Sequence, residues 1–344
     1  MKRRFLLGSG GAALVCPALA KAAPAATPLN LLIAGPRGGQ TDRWGNACAL
    51  AFSPALPGTP SVNIQNIGGL DGVSGANQFD ALVPPDGKTA AILPGAALIA
   101  YLTGDPRVHF DPTRWVPVLA GVNSGVLMLR RPLLAAGINA LRAAPPLRLA
   151  ADKPQSNDLA GMLGLARLGI ATIPVFGMRD TDTKIRAFTA SEVDAVFLCG
   201  EGVPEDVASL TAAGAAPFFD IGELQSNGSI GPVSLLPGLQ TASSLGPAAS
   251  PAINTAYLAA ATAAQLDFLV VLPRLTAPAA AQGWIQAATS ATASLALSAA
   301  ASASAITLQP APVLGGALKT LALQPAAQTT MLAYLAKTCG WQPG

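Results

Sequence analysis

The chain has 344 residues, 51% of them hydrophobic and only 11% charged, with 35 glycines, 30 prolines, four cysteines and one histidine. Its 21 basic and 18 acidic residues give a formal net charge of +3. Lys2, Arg3, Arg4 and Lys21 fall within the first 22 positions without any acid, so 21 less four leaves 17 basic against 18 acidic residues, a net −1. That balance excludes a nucleic-acid-binding surface, a single histidine excludes a multi-histidine metal site, and Cys48, Cys199 and Cys339, which permit at most one internal pair, exclude a disulfide scaffold.

Residues 1–22 combine a basic start, a short apolar stretch from Phe5 to Val15 and a small-residue exit at Ala18-Leu-Ala20 or Ala20-Lys-Ala22, the pattern of an export signal. The apolar core is too short and glycine-rich to span a bilayer, which takes about 20 apolar residues. Arg3-Arg4 followed by Phe5, Leu6 and Leu7 resembles a twin-arginine signal. Cys16 follows Val15, where a lipoprotein signal has a small residue, so no lipid anchor is expected. The mature chain, roughly 320 residues, exceeds the usual single core, so two lobes are expected.

The first element is a buried strand over 29–34. Thr41 or Asp42 is expected to cap a helix that places Trp44, Cys48 and Ala51 on one face. The stretch 61–66 alternates as a strand and is followed by a helix over 73–82. Pro85-Asp-Gly-Lys88 is turn chemistry, 89–93 is a third strand, and 115–122 and 126–130 are further extended runs. The alternation continues with strands over 147–151, 170–176, 193–198 and 216–220 and helices over 158–168, 181–190 and 204–212, which predicts a second α/β sheet. A Pro/Ser/Gly-rich stretch to about residue 251 leads to a helix, an apolar strand over 267–272 and an Ala/Ser-rich helical segment over 277–305 that returns to the first lobe.

Two glycine-rich loops stand out, Gly35-Pro-Arg-Gly-Gly-Gln-Thr-Asp42 and Asn66-Ile-Gly-Gly-Leu-Asp-Gly-Val-Ser-Gly-Ala-Asn77, each between a predicted strand and a predicted helix. Glycine lets backbone turn through positive φ and approach a ligand closely, and a helix start adds unsatisfied N–H groups and a positive dipole end. The loops read as two halves of an anion cradle for carboxylate or phosphate. N–H groups over residues 38–41 and 69–75, with Gln40, Thr41 and Ser74 as side-chain donors, face the anion; Arg37 stands beside it, and Asp42 caps or orients its loop. Valine at Gly39 or Gly72 is expected to fill the anion's place. His109 belongs to a connecting loop. Gly72-Val-Ser-Gly-Ala76 lacks the last glycine of a nucleophile elbow, and Gly35-x-x-Gly38-Gly39 has the wrong order for a dinucleotide fingerprint. Trp44, Trp115 and Phe176 read as core, with Trp115 or Phe176 able to stack on an aromatic acid.

Four motifs in order at similar spacing carry a resemblance: Gly38-Gly-Gln-Thr-Asp42; Asn66, Gly69, Gly72, Gly75 and Ala76 of the second loop; Pro85-Asp-Gly-Lys-Thr89; and Phe110-Asp-Pro112 with Pro117-Val118. Fainter matches follow at Ile173-Pro-Val-Phe-Gly177, Ser191-Glu-Val-Asp194 and Leu236-Pro-Gly-Leu-Gln-Thr241. In this order they resemble the solute receptors of the tripartite tricarboxylate transporter family, the Bug receptors. The chain departs from the family at Val175 (usually Tyr), Asp158 (usually His) and Asp71 (usually Gly).

The resemblance implies a two-lobed, type II-like periplasmic-binding-protein clamp with two crossovers. Its first lobe is 23–122 with 222–344 and its second is 123–221, hinged near 121–125 and 220–222. It implies a monomeric periplasmic receptor, not an enzyme, without cofactor or metal, that holds a small organic carboxylate and passes it to membrane transporter subunits. The expected ligand contacts are Arg37, Gly38, Gly39, Gln40, Thr41, Asp42, Gly69, Asp71, Gly72, Val73 and Ser74 from the first lobe, and Ser156, Phe176 and Asp194 from the second. The alternatives are an exported hydrolase-like α/β enzyme, whose nucleophile and base pair would have to lean on His109, or an orphan ligand sensor using the same cleft.

Overall fold

A computed structural model describes residues 28–225, 230–231 and 236–343, so the predicted export signal lies outside the described residues. The chain opens with β1 (Leu29–Ala34), α1 (Gln40–Phe52), β2 (Val62–Ile67), α2 (Val73–Leu82), β3 (Thr89–Leu93), α3 (Gly95–Leu102) and β4 (Val116–Val122). β1 pairs in parallel with β2 on one side and β3 on the other. Its Leu31, Leu32, Ile33 and Ala34 are all buried, as a continuous apolar run demands when helices cover both faces of a strand. Gly39, not Thr41 or Asp42, is the N-cap of α1, and no side chain caps it; Asp42 sits in the first turn instead.

Two buried residues, Asn123 and Ser124, carry the chain from β4 into a second sheet. That sheet is built by β5 (Gly125–Arg130), α4 (Arg131–Ala135), α5 (Ile138–Ala143), β6 (Leu147–Ala150), α6 (Asp158–Arg167), β7 (Thr172–Val175), α7 (Thr181–Thr189), β8 (Ala195–Cys199), α8 (Val203–Ala212) and β9 (Ala215–Asp220). Its strand order is β7-β6-β8-β5-β9. β6 runs parallel to β7 and β8, and β5 runs antiparallel to β8 and β9. The return passes Gly222, where φ is +86° and an added Cβ would lie 2.1 Å from the Ile230 side chain, so only glycine fits this turn. A ribbon of β10 (Glu223–Leu224) and β11 (Ile230–Gly231) follows.

Ser250 caps α9 (Pro251–Gln265), accepting the Ile253 N–H at 3.2 Å. The chain then forms β12 (Leu266–Leu272), α10 (Pro278–Thr292), α11 (Leu295–Ala303), β13 (Thr307–Pro310), α12 (Ala311–Thr320) and α13 (Pro325–Cys339). β12 and β13 complete the first sheet in the order β13-β4-β12-β3-β1-β2. α9 packs on α3 of the first lobe and α6 of the second, and its alanines let backbones approach closely. At Gly95 an added Cβ would lie 2.2 Å from the Ala263 carbonyl oxygen. α13 reaches the second lobe, where the Tyr334 and Thr172 hydroxyls are 3.0 Å apart. The fold is a two-lobed α/β clamp.

α3 and β13 are absent from the sequence-based expectation. α3 is buried almost all round, so it shows no amphipathic period. β13 is a four-residue edge strand ending in Pro310, and proline marks edges and loops equally.

Candidate ligand-binding cleft

Both glycine loops leave the C-terminal ends of neighbouring parallel strands, β1 and β2, where open α/β sheets bind ligands. Across from them stand the second-lobe segments that follow β6, β7 and β8. The space between is a cleft with two joined chambers. The larger, about 610 Å³, is lined by Gly69, Asp71 and Ser74 on one side and by Lys153, Ser156, Arg179 and Lys184 on the other. The smaller, about 350 Å³, is lined by Gly39, Gln40 and Thr41, by Asn123 at the crossover, by Asp267 at the start of β12, and by Asn157. Leu70, Ala96, Asn157, Arg179 and Cys199 face both.

The cleft's charges are unequally committed. Lys184 forms an ion pair with Asp158, both nearly buried. Asp158 also accepts the Asp152 N–H and the Ser156 hydroxyl, each at 3.0 Å, so this carboxylate organises the loop that enters α6. Arg107 is held by Asp105 at 2.7 Å and Asp71 at 2.9 Å. Lys153 and Arg179 are looser, 3.8 Å from Asp71 and 3.9 Å from Asp152, with side chains 41% and 87% exposed. Such pairs contribute little, so these two cations are free to turn towards a ligand.

A closer pair of bonds also crosses between the lobes. Glu201, just after β8, accepts from Arg43 Nη2 at 2.7 Å and from Trp44 Nε1 at 2.8 Å, both on α1.

Asp267 is the most perturbed acid here. Burial, reinforced by nearby Glu201, pushes its carboxyl up to about 7, against hydrogen bonds from Asn123 and Gln40 and the charge of Arg43. With the folded value above the ordinary 3.8, the folded protein keeps this proton where the unfolded chain has lost it. This group's contribution to stability is therefore fully present below about pH 4 and declines as pH rises towards 7. The melting temperature of Asp267→Asn is expected to gain on that of the wild type by a few degrees between pH 5 and pH 8; a pH-independent difference contradicts this.

Cys199 lines the cleft, but burial pushes its thiol up to about 12. It is expected to resist iodoacetamide in the native protein at pH 8 and to react on unfolding, as read by mass spectrometry. Cys48, Cys199 and Cys339 are all unpaired.

Among solved structures the chain is similar to a TctC solute-binding protein from Polaromonas, with a TM-score of 0.68 at 14% identity over 90% of this chain and 98% of that one. It is similar to MatC from Rhodopseudomonas palustris with bound malate, with a TM-score of 0.56 at 15% identity over 88% and 98%. It is also similar to the periplasmic binding protein BugD, with a TM-score of 0.54 at 14% identity over 92% and 98%. The chain has the fold of the TctC-type solute-binding proteins. No family model matches its sequence, and no curated protein matches it either.

Within this TctC-type fold, Gly39, Gln40, Thr41, Gly69, Asp71, Ser74 and Ser156 line the cleft. The other expected contacts do not. Arg37 is exposed and lines neither chamber. The Gly38 N–H donates to Asp42 Oδ2 at 2.8 Å and the Gly39 N–H to the Pro36 carbonyl at 3.2 Å, so the first loop's anion-facing N–H groups are those of Gln40 and Thr41 in the first turn of α1. Asp42 joins the loops: Asn66 Nδ2 donates to its Oδ1 at 2.8 Å, and this bond first, then that from Gly38, holds its carboxyl below the usual range.

Gly72 caps α2 in the left-handed region, and an added Cβ would meet Pro94 at 2.5 Å rather than the cleft; at Gly39 it would meet Pro36 at 3.1 Å. The expectation that valine at either position fills the anion's place is therefore corrected: both point into their own lobe. Gly69 instead has open space where its Cβ would be. Val73 is core, its N–H directed to Asp71 Oδ1 at 3.3 Å. Phe176 is 38% exposed beside the edge strand β7. Asp194 precedes β8 at the end opposite the cleft, five residues or about 16 Å from Cys199, and is held by Arg148 at 2.7 Å.

His109 is exposed, its N–H donated to Asn77. Trp115 is core, packed on Phe79 and Phe110. Sequence reasoning missed Lys153, Arg179, Asn123, Asn157 and Asp267. Lys153 was recoverable, because it follows a predicted strand at the end where such sheets bind ligands.

Proposed function

We propose that the chain is a periplasmic solute-binding receptor that closes two lobes over a small organic carboxylate. One observation carries the reading: the N-termini of α1 and α2 open onto a cleft whose far wall presents Lys153 and Arg179, loosely paired cations. Helix N-termini and under-committed cations both favour an anion. The bound malate of MatC supports a carboxylate as that anion. The moving bodies are 23–122 with 222–344, and 123–221. Closure is a hinge motion at residues 123–124 and 221–222. The receptor is exported by its N-terminal signal, of the twin-arginine type, works as a monomer, and hands its ligand to membrane subunits of a tripartite tricarboxylate-type transporter.

A thermal-shift screen of the mature protein against mono- and dicarboxylates tests the reading. At least one carboxylate at 100 times its Kd is expected to stabilise by about 2.7 kcal/mol, and Lys153→Ala with Arg179→Ala to lose most of that. A folded protein that responds to none of the panel overturns the proposal.

A further inference from the structure

The smaller chamber holds a concentration of acceptors that an anion does not explain. Three of its lining residues carry a buried oxygen without a hydrogen-bond partner: Asn123 Oδ1, Asn157 Oδ1 and Asp267 Oδ2. Asn123 is only 4% exposed. Its amide Nδ2 lies 3.4 Å from Asp267 Oδ1, which also accepts Gln40 Nε2 at 2.5 Å. Every donor given to these side chains thus goes to the other Asp267 oxygen, and three acceptors are left over. A buried acceptor left unpaired costs about 1–3 kcal/mol, so three in one chamber point to a donor-rich guest.

We propose that the ligand carries an ammonium group as well as a carboxylate, and that Asp267, Asn123 and Asn157 receive the ammonium's N–H bonds. This rests on the carboxylate reading, because the same chamber is lined by Gln40 and Thr41, whose N–H groups begin α1. The carboxylate lies against that helix start and the ammonium beside Asp267, the arrangement of an amino acid. An ammonium brings three donors and one positive charge, matching two amide oxygens and a carboxyl whose ionised form, the one that accepts through both oxygens, an adjacent cation favours. A bare divalent cation fits less well, since Asp267 is the only acidic residue of this chamber and no cluster of metal-binding side chains occurs among the described residues.

Calorimetry with matched probes tests this: aspartate against malate and succinate, glutamate against glutarate, and alanine against propionate. In at least one set the amino member is expected to bind ten or more times tighter than its partners. That ratio is expected to fall below three in Asp267→Asn and, should that variant fold poorly, in Asn157→Leu. Carboxylates that bind without preference for the amino member, or a preference that survives both substitutions, overturn the ammonium site while leaving the carboxylate reading intact. Binding of ethanolamine but of no carboxylate sustains the ammonium site and overturns the carboxylate reading. A folded protein that binds none of these probes overturns both.

Discussion

Glu201→Ala is expected to loosen the closed clamp and to weaken ligand binding roughly 5- to 30-fold, with a larger radius of gyration in small-angle scattering. Glu201, on the second lobe, receives two hydrogen bonds from α1, from Arg43 at 2.7 Å and Trp44 at 2.8 Å. A charge-assisted bond in a sheltered place contributes about 1.5–3 kcal/mol, but the Arg43 side chain is 59% exposed and its share is correspondingly small. Trp44 is the stronger half. It is 4% exposed and stacked on Phe268 with centroids 4.9 Å apart, so in the closed form its N–H has Glu201 as its acceptor. Truncation leaves that donor buried and unpaired only while the lobes stay shut, which shifts the balance to the open form by about 1–2 kcal/mol. The variant's melting temperature should change little without ligand, because both lobes keep their cores. Unchanged affinity together with an unchanged scattering profile would show that the contact merely accompanies closure.

The second large effect separates two glycines three residues apart. Gly72→Val is expected to cost about 3 kcal/mol or more of stability: a β-branched residue in the left-handed region costs about 1–2 kcal/mol, and overpacking against Pro94 at 2.5 Å and the Ala34 carbonyl at 3.1 Å adds about 1–3 kcal/mol. Gly69→Val meets nothing within 4 Å and should leave the melting temperature within about 1 °C. It should nonetheless reduce ligand affinity at least tenfold, because its side chain enters the cleft beside the start of α2. Thermal denaturation and calorimetry on both variants check this. Two variants that lose binding and stability in parallel would contradict it.

The frame was legible because its signals are local. β1, α2 and β3 have the bounds their apolar runs and glycine breaks predicted, and the strand–loop–helix rhythm exposed both sheets. The cleft was legible only on the side where backbone does the work: Gln40, Thr41, Gly69 and Ser74 follow from glycine loops before helices. The opposite wall was hidden for a physical reason. Lys153, Arg179 and Asn157 look like ordinary loop residues until the turns after β6 and β7 face α1, and Asp267 is only the polar second residue of an apolar strand until Asn123 arrives from a crossover 144 positions away. Gly38, Asp42 and Gly72 were read as ligand contacts, yet their hydrogen bonds or their contacts turn inward and shape the loops. The same glycine pattern serves both purposes, and only the direction of each N–H and Cβ separates them.

In the proposed receptor a small carboxylate is held between the lobes against the start of α1 and α2. Titrating the most stabilising carboxylate into the wild type and into Gly69→Val by calorimetry tests it directly. Saturable one-to-one binding by the wild type, and a loss of at least tenfold in the variant at undiminished stability, are expected. Equal binding by both proteins, or none by a folded wild type, would contradict it.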